Sequence, residues 1–200
     1  MWYNLKFRTS TNEPIIFKDW QKTAIDFLMN VRIKKVWLVN NVRHTGATTF
    51  AKLLLYFRPP CDGSFFISNN LDWAKSECKH RPPIEFSANQ TITKEGEWHT
   101  IGNFLKPVTL FGLEKETGRL KDFNDSINFI TDSDSSEKLH LECIYDSEFK
   151  VETYKTLCSY DFDFFIVNVS PKDLENARPF IEADKDKENV LIIEIDETLK

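Results

Sequence analysis

The sequence has little that would mark a secreted, metal-binding or membrane protein. Its four cysteines (Cys61, Cys78, Cys143 and Cys158) are too scattered for a disulfide framework and lack the close pairs typical of zinc sites. No run approaches the ~18 apolar residues of a membrane span, and the first residues lack the apolar core of a signal peptide. We therefore expect reduced thiols and a soluble, intracellular protein, in the nucleus or cytoplasm of a host if the source is viral.

The sequence has fewer basic than acidic residues, 26 Lys and Arg against 31 Asp and Glu, so its formal net charge is −5. This balance excludes a globally basic nucleic-acid-binding protein and leaves room only for a local basic groove. Repeats and low-complexity segments are also absent. Hydrophobic residues make up 41% and aromatic residues 14% of the 200 residues, which excludes disordered, collagen-like and coiled-coil chains. The length fits one domain with its own core.

Apolar segments alternate with helical patterns along the chain, which indicates an α/β fold. Residues 19–30 form an amphipathic pattern that predicts a helix capped by Asp19. Val36–Val39 is a continuous apolar run, typical of a parallel strand buried on both faces, and a helix opens after it at Thr48 or Thr49. We predict further strands at 64–67, 84–86, 127–130, 139–144, 162–169 and 190–195, helices at 71–78 and 98–105, and a hairpin joining 108–111 to the segment near Leu120.

The loop between the first apolar strand and its helix lies where phosphate-binding loops occur. Their pattern is G-x-x-x-x-G-K-[ST]: glycines let backbone N–H groups converge on phosphates, the lysine neutralises them, and the hydroxyl binds magnesium. This chain has the second glycine, Gly46, and the hydroxyl, Thr48. The first glycine is replaced by Asn40 or Asn41, and the lysine is replaced by Ala47.

The segment 19–54 resembles the start of the superfamily 3 helicase domain of replication initiator (Rep) proteins of circular single-stranded DNA viruses and related plasmids. In that family a Trp-Gln pair begins a helix, an apolar strand and a glycine loop follow, and the next helix carries an Ala-Lys pair. Trp20-Gln21, Gly46, Thr48-Thr49 and Ala51-Lys52 match this pattern by type and spacing. The likeness extends over residues 19–135.

This resemblance implies a P-loop NTPase-like sheet with flanking helices and a β-hairpin. Residues 1–135 would form the helicase-like core, and residues 136–200 a C-terminal α/β extension packed on the same domain. The nuclease domain that precedes such helicases is expected to be missing, because about twenty residues before the match are too few to form one.

The resemblance also assigns site residues, with ATP and magnesium as the ligands of a working site. The implied nucleotide-binding residues are Asn41, Arg43, His44, Gly46, Ala47, Thr48 and Thr49. Glu85 would be the Walker B acid and would hold the metal together with Thr48, and the sensor residue would fall at Thr131 or Asp132. The hairpin residues that hold single-stranded DNA in the family correspond to Lys115, Arg119 and Lys121, for which a plain surface turn is the alternative.

The departures from the family pattern favour a chain that keeps the helicase fold but has lost residues that the ATPase site needs. Our hypothesis is a non-hydrolysing binding or assembly module of DNA replication, which joins helicase-like subunits or binds single-stranded DNA without a membrane. One alternative is an active, divergent ATPase in which Arg43 or a neighbouring subunit supplies the missing charge. Another is an unrelated host-interaction protein. A third is a metal-dependent nuclease built on Glu148 and Lys150 downstream of Asp132 and Asp134.

A basic stretch with interleaved aromatic residues surrounds the first strand, a composition that suits single-strand binding. It comprises Lys34, Lys35, Arg43, Lys52 and Arg58, with Trp37 and Tyr56 nearby. Because Trp37 lies in a strand of the buried type, the alternative is that its indole belongs to the core.

Overall fold

Six parallel strands form the main sheet of the molecule. The structure is a computed structural model, and it describes residues 6–8, 14–30, 33–56, 62–69, 98–100, 109–112 and 139–198. The described elements, in chain order, are β1 (Lys6–Arg8), β2 (Pro14–Ile15), α1 (Asp19–Asn30), β3 (Lys35–Asn40), α2 (Ala47–Tyr56), β4 (Gly63–Ser68), β5 (Trp98–Thr100), β6 (Thr109–Gly112), β7 (Leu141–Asp146), α3 (Val151–Cys158), β8 (Phe164–Val169), a 3-10 turn (Pro171–Asp173), α4 (Leu174–Asp184) and β9 (Val190–Ile195).

The strand order across the main sheet is β6, β4, β7, β8, β3, β9, so β3 lies inside the sheet between β8 and β9. Its pairing is parallel on both sides, with Val36 opposite Ile166 on β8 and Leu191 on β9. The predicted α/β class is confirmed. Residues 136–200, predicted as an extension of the core, contribute β7, β8 and β9, three strands of this sheet.

Helices cover both faces of the sheet, and alternate side chains of each strand point to opposite faces. Val36 and Leu38 pack in one buried cluster with α1 and α2. Trp37 and Val39 pack in a second cluster with α3 and α4. Trp37 is fully buried, so its indole belongs to the core, as the alternative to single-strand binding predicted.

Most predicted elements within the described residues are confirmed. The helix at 19–30 and the strand at 190–195 have the predicted bounds, and α1 begins with the Lys18 N–H donating to Oε1 of Gln21 at 2.8 Å. Such a side-chain contact satisfies one of the N–H groups that a helix start leaves without a partner. The predicted segments at 71–78, 84–86 and 127–130, and the second strand of the hairpin near Leu120, lie outside the described residues.

The predicted helix at 98–105 is wrong at its start, because Trp98–Thr100 forms β5. This strand pairs in parallel with β1, which also pairs antiparallel with β2, to give a second, three-stranded sheet. Aromatic and β-branched side chains favour a strand once a pairing partner is present. The partner, Lys6–Arg8, is distant in sequence, so the local pattern contains no signal of it.

None of the helices in the described ranges is both long enough and apolar enough to cross a lipid bilayer.

Candidate functional site

The helices that follow two neighbouring strands of the main sheet, β3 and β8, lie on opposite faces of that sheet. The helix α2 follows β3 and packs on one face, whereas α4 follows β8 and packs on the other. In open parallel sheets this divergence leaves a crevice beyond the carboxyl ends of the strands, and ligands bind in that crevice. The fold therefore places a ligand position at the ends of β3 and β8.

A cavity of about 430 Å³ opens at this position, a volume within the range of small-molecule sites. Its walls come from the loop after β3, the first turn of α2, the ends of β7 and β8, and the turn 170–173. Of the residues predicted to bind a nucleotide, five line the cavity: Arg43, His44, Gly46, Ala47 and Thr48. Asn41 and Thr49 do not, since Asn41 instead donates to Oδ1 of Asp196 at 2.7 Å and Thr49 is exposed.

Positive φ angles shape the loop between β3 and α2. The φ angle is 58° at His44 and 77° at Gly46. A side chain with a Cβ atom costs about 1–2 kcal/mol in this region, whereas glycine adopts it freely. The Gly46 carbonyl accepts a hydrogen bond from the Phe50 N–H at 2.9 Å, so α2 begins directly behind the glycine. The glycine therefore brings the helix start to the cavity.

Asn40, the last residue of β3, ties the loop to the end of β8. Its side-chain amide donates to Oδ1 of Asn168 at 2.7 Å and to the Val169 carbonyl at 2.8 Å. The Thr45 hydroxyl donates to Oδ1 of Asn40, and the Ala47 N–H donates to the Thr45 hydroxyl at 3.2 Å. Asn40 and Thr45 are both buried, so this chain of hydrogen bonds fixes the two ends of the loop against the sheet.

The Asn168 side chain connects the loop side of the cavity to the acidic end of β7. Because its oxygen accepts from Asn40, its amide group faces the other way and donates to Oδ1 of Asp146 at 2.7 Å. The same amide group lies 3.4 Å from the Thr48 hydroxyl oxygen. A hydroxyl from α2 and a carboxylate from β7 thus both contact one amide group at the cavity wall.

The segment after β7 is anchored by hydrogen bonds to Tyr145 at the end of β7 and to Asn69, the residue that follows β4. Oδ1 of Asn69 accepts from the Ser147 hydroxyl at 2.9 Å and from the Glu148 N–H at 2.8 Å. The Tyr145 hydroxyl donates to the Glu148 carbonyl and accepts from the Lys150 N–H, at 2.8 and 2.9 Å. Burial raises the pKa of Tyr145, so the phenol stays protonated and keeps its donor role. The backbone of Glu148 is therefore held at the cavity wall.

Two lysines accompany the Glu148 carboxylate. Lys150 Nζ lies 3.0 Å from one oxygen, and Lys172 Nζ lies 3.9 Å from the other. The hydrogen bond and charge of Lys150, supplemented by the charge of Lys172, lower the pKa of Glu148. Glu148 is therefore ionised at neutral pH. Lys172 lines the cavity together with Glu148, whereas Lys150 does not.

Sequence reasoning missed Asp146 and Asn168, although each follows a recognisable signal. Asp146 ends a strand of buried residues, and Asn168 is a polar residue within the apolar run of β8. In a parallel sheet, polar residues at the carboxyl ends of such runs are candidates for a ligand site. The resemblance instead placed the acid at Glu85 and the sensor at Thr131 or Asp132. Those three residues, and the basic residues at 115, 119 and 121, lie outside the described residues, so these assignments stay predictions.

The nuclease alternative gains no support from the described residues. Glu148 and Lys150 are paired with one another, and Phe149 between them is buried in the core. Asp132 and Asp134 lie outside the described residues.

No group of three or more His, Cys, Asp or Glu side chains that could hold a metal ion occurs within the described ranges. Magnesium does not require one, because it is commonly held by one or two carboxylates together with substrate phosphates and water. Among the described cysteines, Cys143 is buried and Cys158 exposed, and both are free thiols.

Comparisons with protein-family models, with curated proteins and with solved structures gave no significant match to this chain.

Proposed function

We propose that the cavity at the ends of β3 and β8 binds a nucleoside triphosphate with magnesium, and that the protein hydrolyses it slowly at most. One observation carries this proposal: the Thr48 hydroxyl, the Asp146 carboxylate and the Asn168 amide meet at the cavity wall, behind the Gly46 loop. In phosphate-binding loops, magnesium is held by the hydroxyl that begins the helix and by an aspartate from a neighbouring part of the sheet.

Thr48 and Asp146 fit that role by the chemistry of their donor atoms, since both offer the oxygen ligands that magnesium prefers. Magnesium, when bound, would neutralise part of the charge of the phosphates. The Asn168 amide keeps the two ligands together through its hydrogen bond to Asp146 and its contact with Thr48.

Slow hydrolysis follows from Ala47, which stands where phosphate-binding loops carry a lysine. Charge stabilisation of the transition state supplies most of the catalysis in phosphoryl transfer, so the loss of that cation weakens the reaction more than it weakens binding. The resemblance to Rep helicases at residues 19–54 supports the wider proposal of a helicase-like binding or assembly module in DNA replication.

Isothermal titration calorimetry with ATP, with and without magnesium, tests the binding site. We expect binding that depends on magnesium, and Thr48→Ala should weaken it at least ~10-fold, which corresponds to about 1.4 kcal/mol. Thr49→Ala is the matched control, because this neighbouring threonine is exposed and lies outside the cavity. Equal affinities for the two variants, or no binding by the unmodified protein, would rule out this site.

Phosphate release measured on the same samples separates the proposal from the active ATPase. Turnover near that of a competent helicase, lost in Thr48→Ala, would favour the divergent enzyme. Magnesium-dependent DNA cleavage that is lost in Glu148→Gln would favour the nuclease instead.

Size-exclusion chromatography with light scattering tests the assembly part of the proposal. With ATP and magnesium present, we expect a species of several copies, because helicase cores of the resembled family form rings around their nucleotide sites. A strict monomer at high concentration, with nucleotide bound, would contradict ring formation and leave the nucleotide site itself unaffected.

A further inference from the structure

We infer that Lys172, in the turn between β8 and α4, supplies the phosphate-binding charge that Ala47 lacks, an inference that rests on the proposed nucleotide site. Phosphate-binding loops carry this charge at the start of their helix, where α2 has Ala47. Among the described residues that line the cavity, the arginine and lysine side chains are those of Arg43 and Lys172. They come from different walls, and the two walls differ in how firmly they are held.

The turn that carries Lys172 is locked in place. The Ser170 hydroxyl donates to Oδ2 of Asp173 at 2.6 Å, and the Asp173 N–H donates to the Ser170 carbonyl at 3.0 Å. Asp173 is buried, and the ring of Pro171 fixes its own φ angle. The backbone of Lys172 is therefore set at the wall of the cavity, and only the side chain has to move toward a ligand.

The ion pair between Lys172 and Glu148 can break at little cost in free energy. Its contact with Glu148 is 3.9 Å long, and the Lys172 side chain is 59% exposed. Exposed pairs of this kind contribute little to stability. Glu148 retains its closer contact with Lys150 at 3.0 Å, so the carboxylate is not left without a counter-charge when Lys172 turns to a phosphate.

Arg43 is the competing source of the charge. It is exposed and belongs to the loop in which His44 adopts a positive φ angle. The cavity wall also carries the carboxylates of Asp146, Glu148 and Asp173, so an anionic ligand needs a cation besides magnesium. The hydrogen bonds that hold the Arg43 loop start from Asn40, Asn41 and Thr45, whereas those of the turn close directly around Lys172. Less conformational freedom is therefore lost when Lys172 makes the contact than when Arg43 does.

Calorimetry on the full chain with ATP and magnesium tests the assignment. Lys172→Ala should weaken binding ~10-fold or more, the usual effect of a charge-assisted hydrogen bond, and Lys172→Arg should restore most of the affinity. Lys185→Ala removes the same charge just beyond the C-terminal end of α4, outside the cavity, and should leave the affinity unchanged. Circular dichroism of each variant verifies that the fold is kept.

Three results would overturn the inference. Lys172→Ala and Lys185→Ala could give equal affinities, Arg43→Ala could produce the loss while Lys172→Ala does not, or Lys172→Arg could fail to rescue. In each case ATP still binds the unmodified protein, so the proposed function stands while the role of Lys172 fails. An unmodified protein that does not bind ATP and magnesium would overturn both.

Discussion

Replacing Asp184 with asparagine is expected to lower the free energy of unfolding by about 2–4 kcal/mol. This carboxylate ends α4, is 3% exposed, and accepts three hydrogen bonds. Lys35 Nζ and Trp37 Nε1 donate to Oδ2 at 3.0 and 2.9 Å, and Lys187 Nζ donates to Oδ1 at 2.7 Å. An asparagine would remove the charge and present an amide N–H to one of these donors.

The size of the effect follows from the burial of the partners. Removing one member of a buried ion pair costs about 3–5 kcal/mol, because the other charge is left without compensation. The effect should be smaller here, since the Lys35 and Lys187 side chains keep 20% and 56% of their surface in contact with water.

The loss of stability should depend on pH. Burial alone would raise the pKa of Asp184, but the hydrogen bonds from Lys187, Trp37 and Lys35 outweigh burial and hold this pKa below its usual range. A carboxyl whose pKa is lower in the folded state stabilises the fold above its unfolded pKa of about 3.9, and the contribution disappears as the pH falls through the folded value. The stability difference between the protein and Asp184→Asn should be full at pH 7 and shrink below about pH 4.

Urea unfolding at several pH values measures this difference. Glu182→Gln is the matched control, because Glu182 lies two residues earlier on α4 and its carboxylate is exposed, 3.9 Å from Lys185. That substitution should change the free energy of unfolding by less than about 0.5 kcal/mol. Equal stabilities of the two variants at pH 7, or a difference for Asp184→Asn that persists below its pKa, would contradict the expectation.

The Asp184 contacts also involve two members of the predicted basic stretch, Lys35 and Trp37. Lys35 lies at the start of β3 and is neutralised by Asp184, and its Nζ also contacts the Tyr154 hydroxyl at 3.1 Å. Trp37, the aromatic residue nearest to it in that stretch, is buried against the same carboxylate. The partner lies 149 residues away in the sequence, so no local pattern could indicate it.

Inner strands of the main sheet were predictable because they are buried on both faces and therefore have apolar runs. The strand β3 is one example and β4 another. Their lateral order was not predictable, since it depends on long-range pairing: the neighbours of β3 come from the last forty residues of the chain. The family resemblance assigned Glu85 by linear order, and that prediction lies outside the described residues. The contacts of Asn168 with Asp146 and Thr48 depend on the sheet order, so no local pattern indicates them.

The loop itself was predicted more fully than the rest of the site, because its chemistry is local. A glycine with a positive φ angle and a hydroxyl two residues later were both readable at Gly46 and Thr48. The other wall of the cavity, with Glu148 and Lys172, depends on the sheet order and could not be inferred.

Ala47→Lys is expected to tighten ATP binding in the presence of magnesium by ~10- to 100-fold, because it restores a charge-assisted phosphate contact. Ala47 is the first residue of α2, is 3% exposed and lines the cavity. Ala47 packs in the buried cluster around α2, so the stem of a lysine there would run along that cluster and place its ammonium group in the cavity. Phosphate release should rise with it, since the same cation stabilises the transition state.

Thr49→Lys is the matched control for this gain, because it adds the same charge to the same turn of α2 at an exposed position outside the cavity. Calorimetry should find its affinity close to that of the unmodified protein. If both lysine variants bind ATP equally well, the gain is a general effect of charge; if Ala47→Lys keeps its fold and loses affinity, the cavity does not hold phosphates. In the Ala47→Lys background, Lys172→Ala should cost less affinity than it does alone, since two cations that serve one phosphate group are not additive.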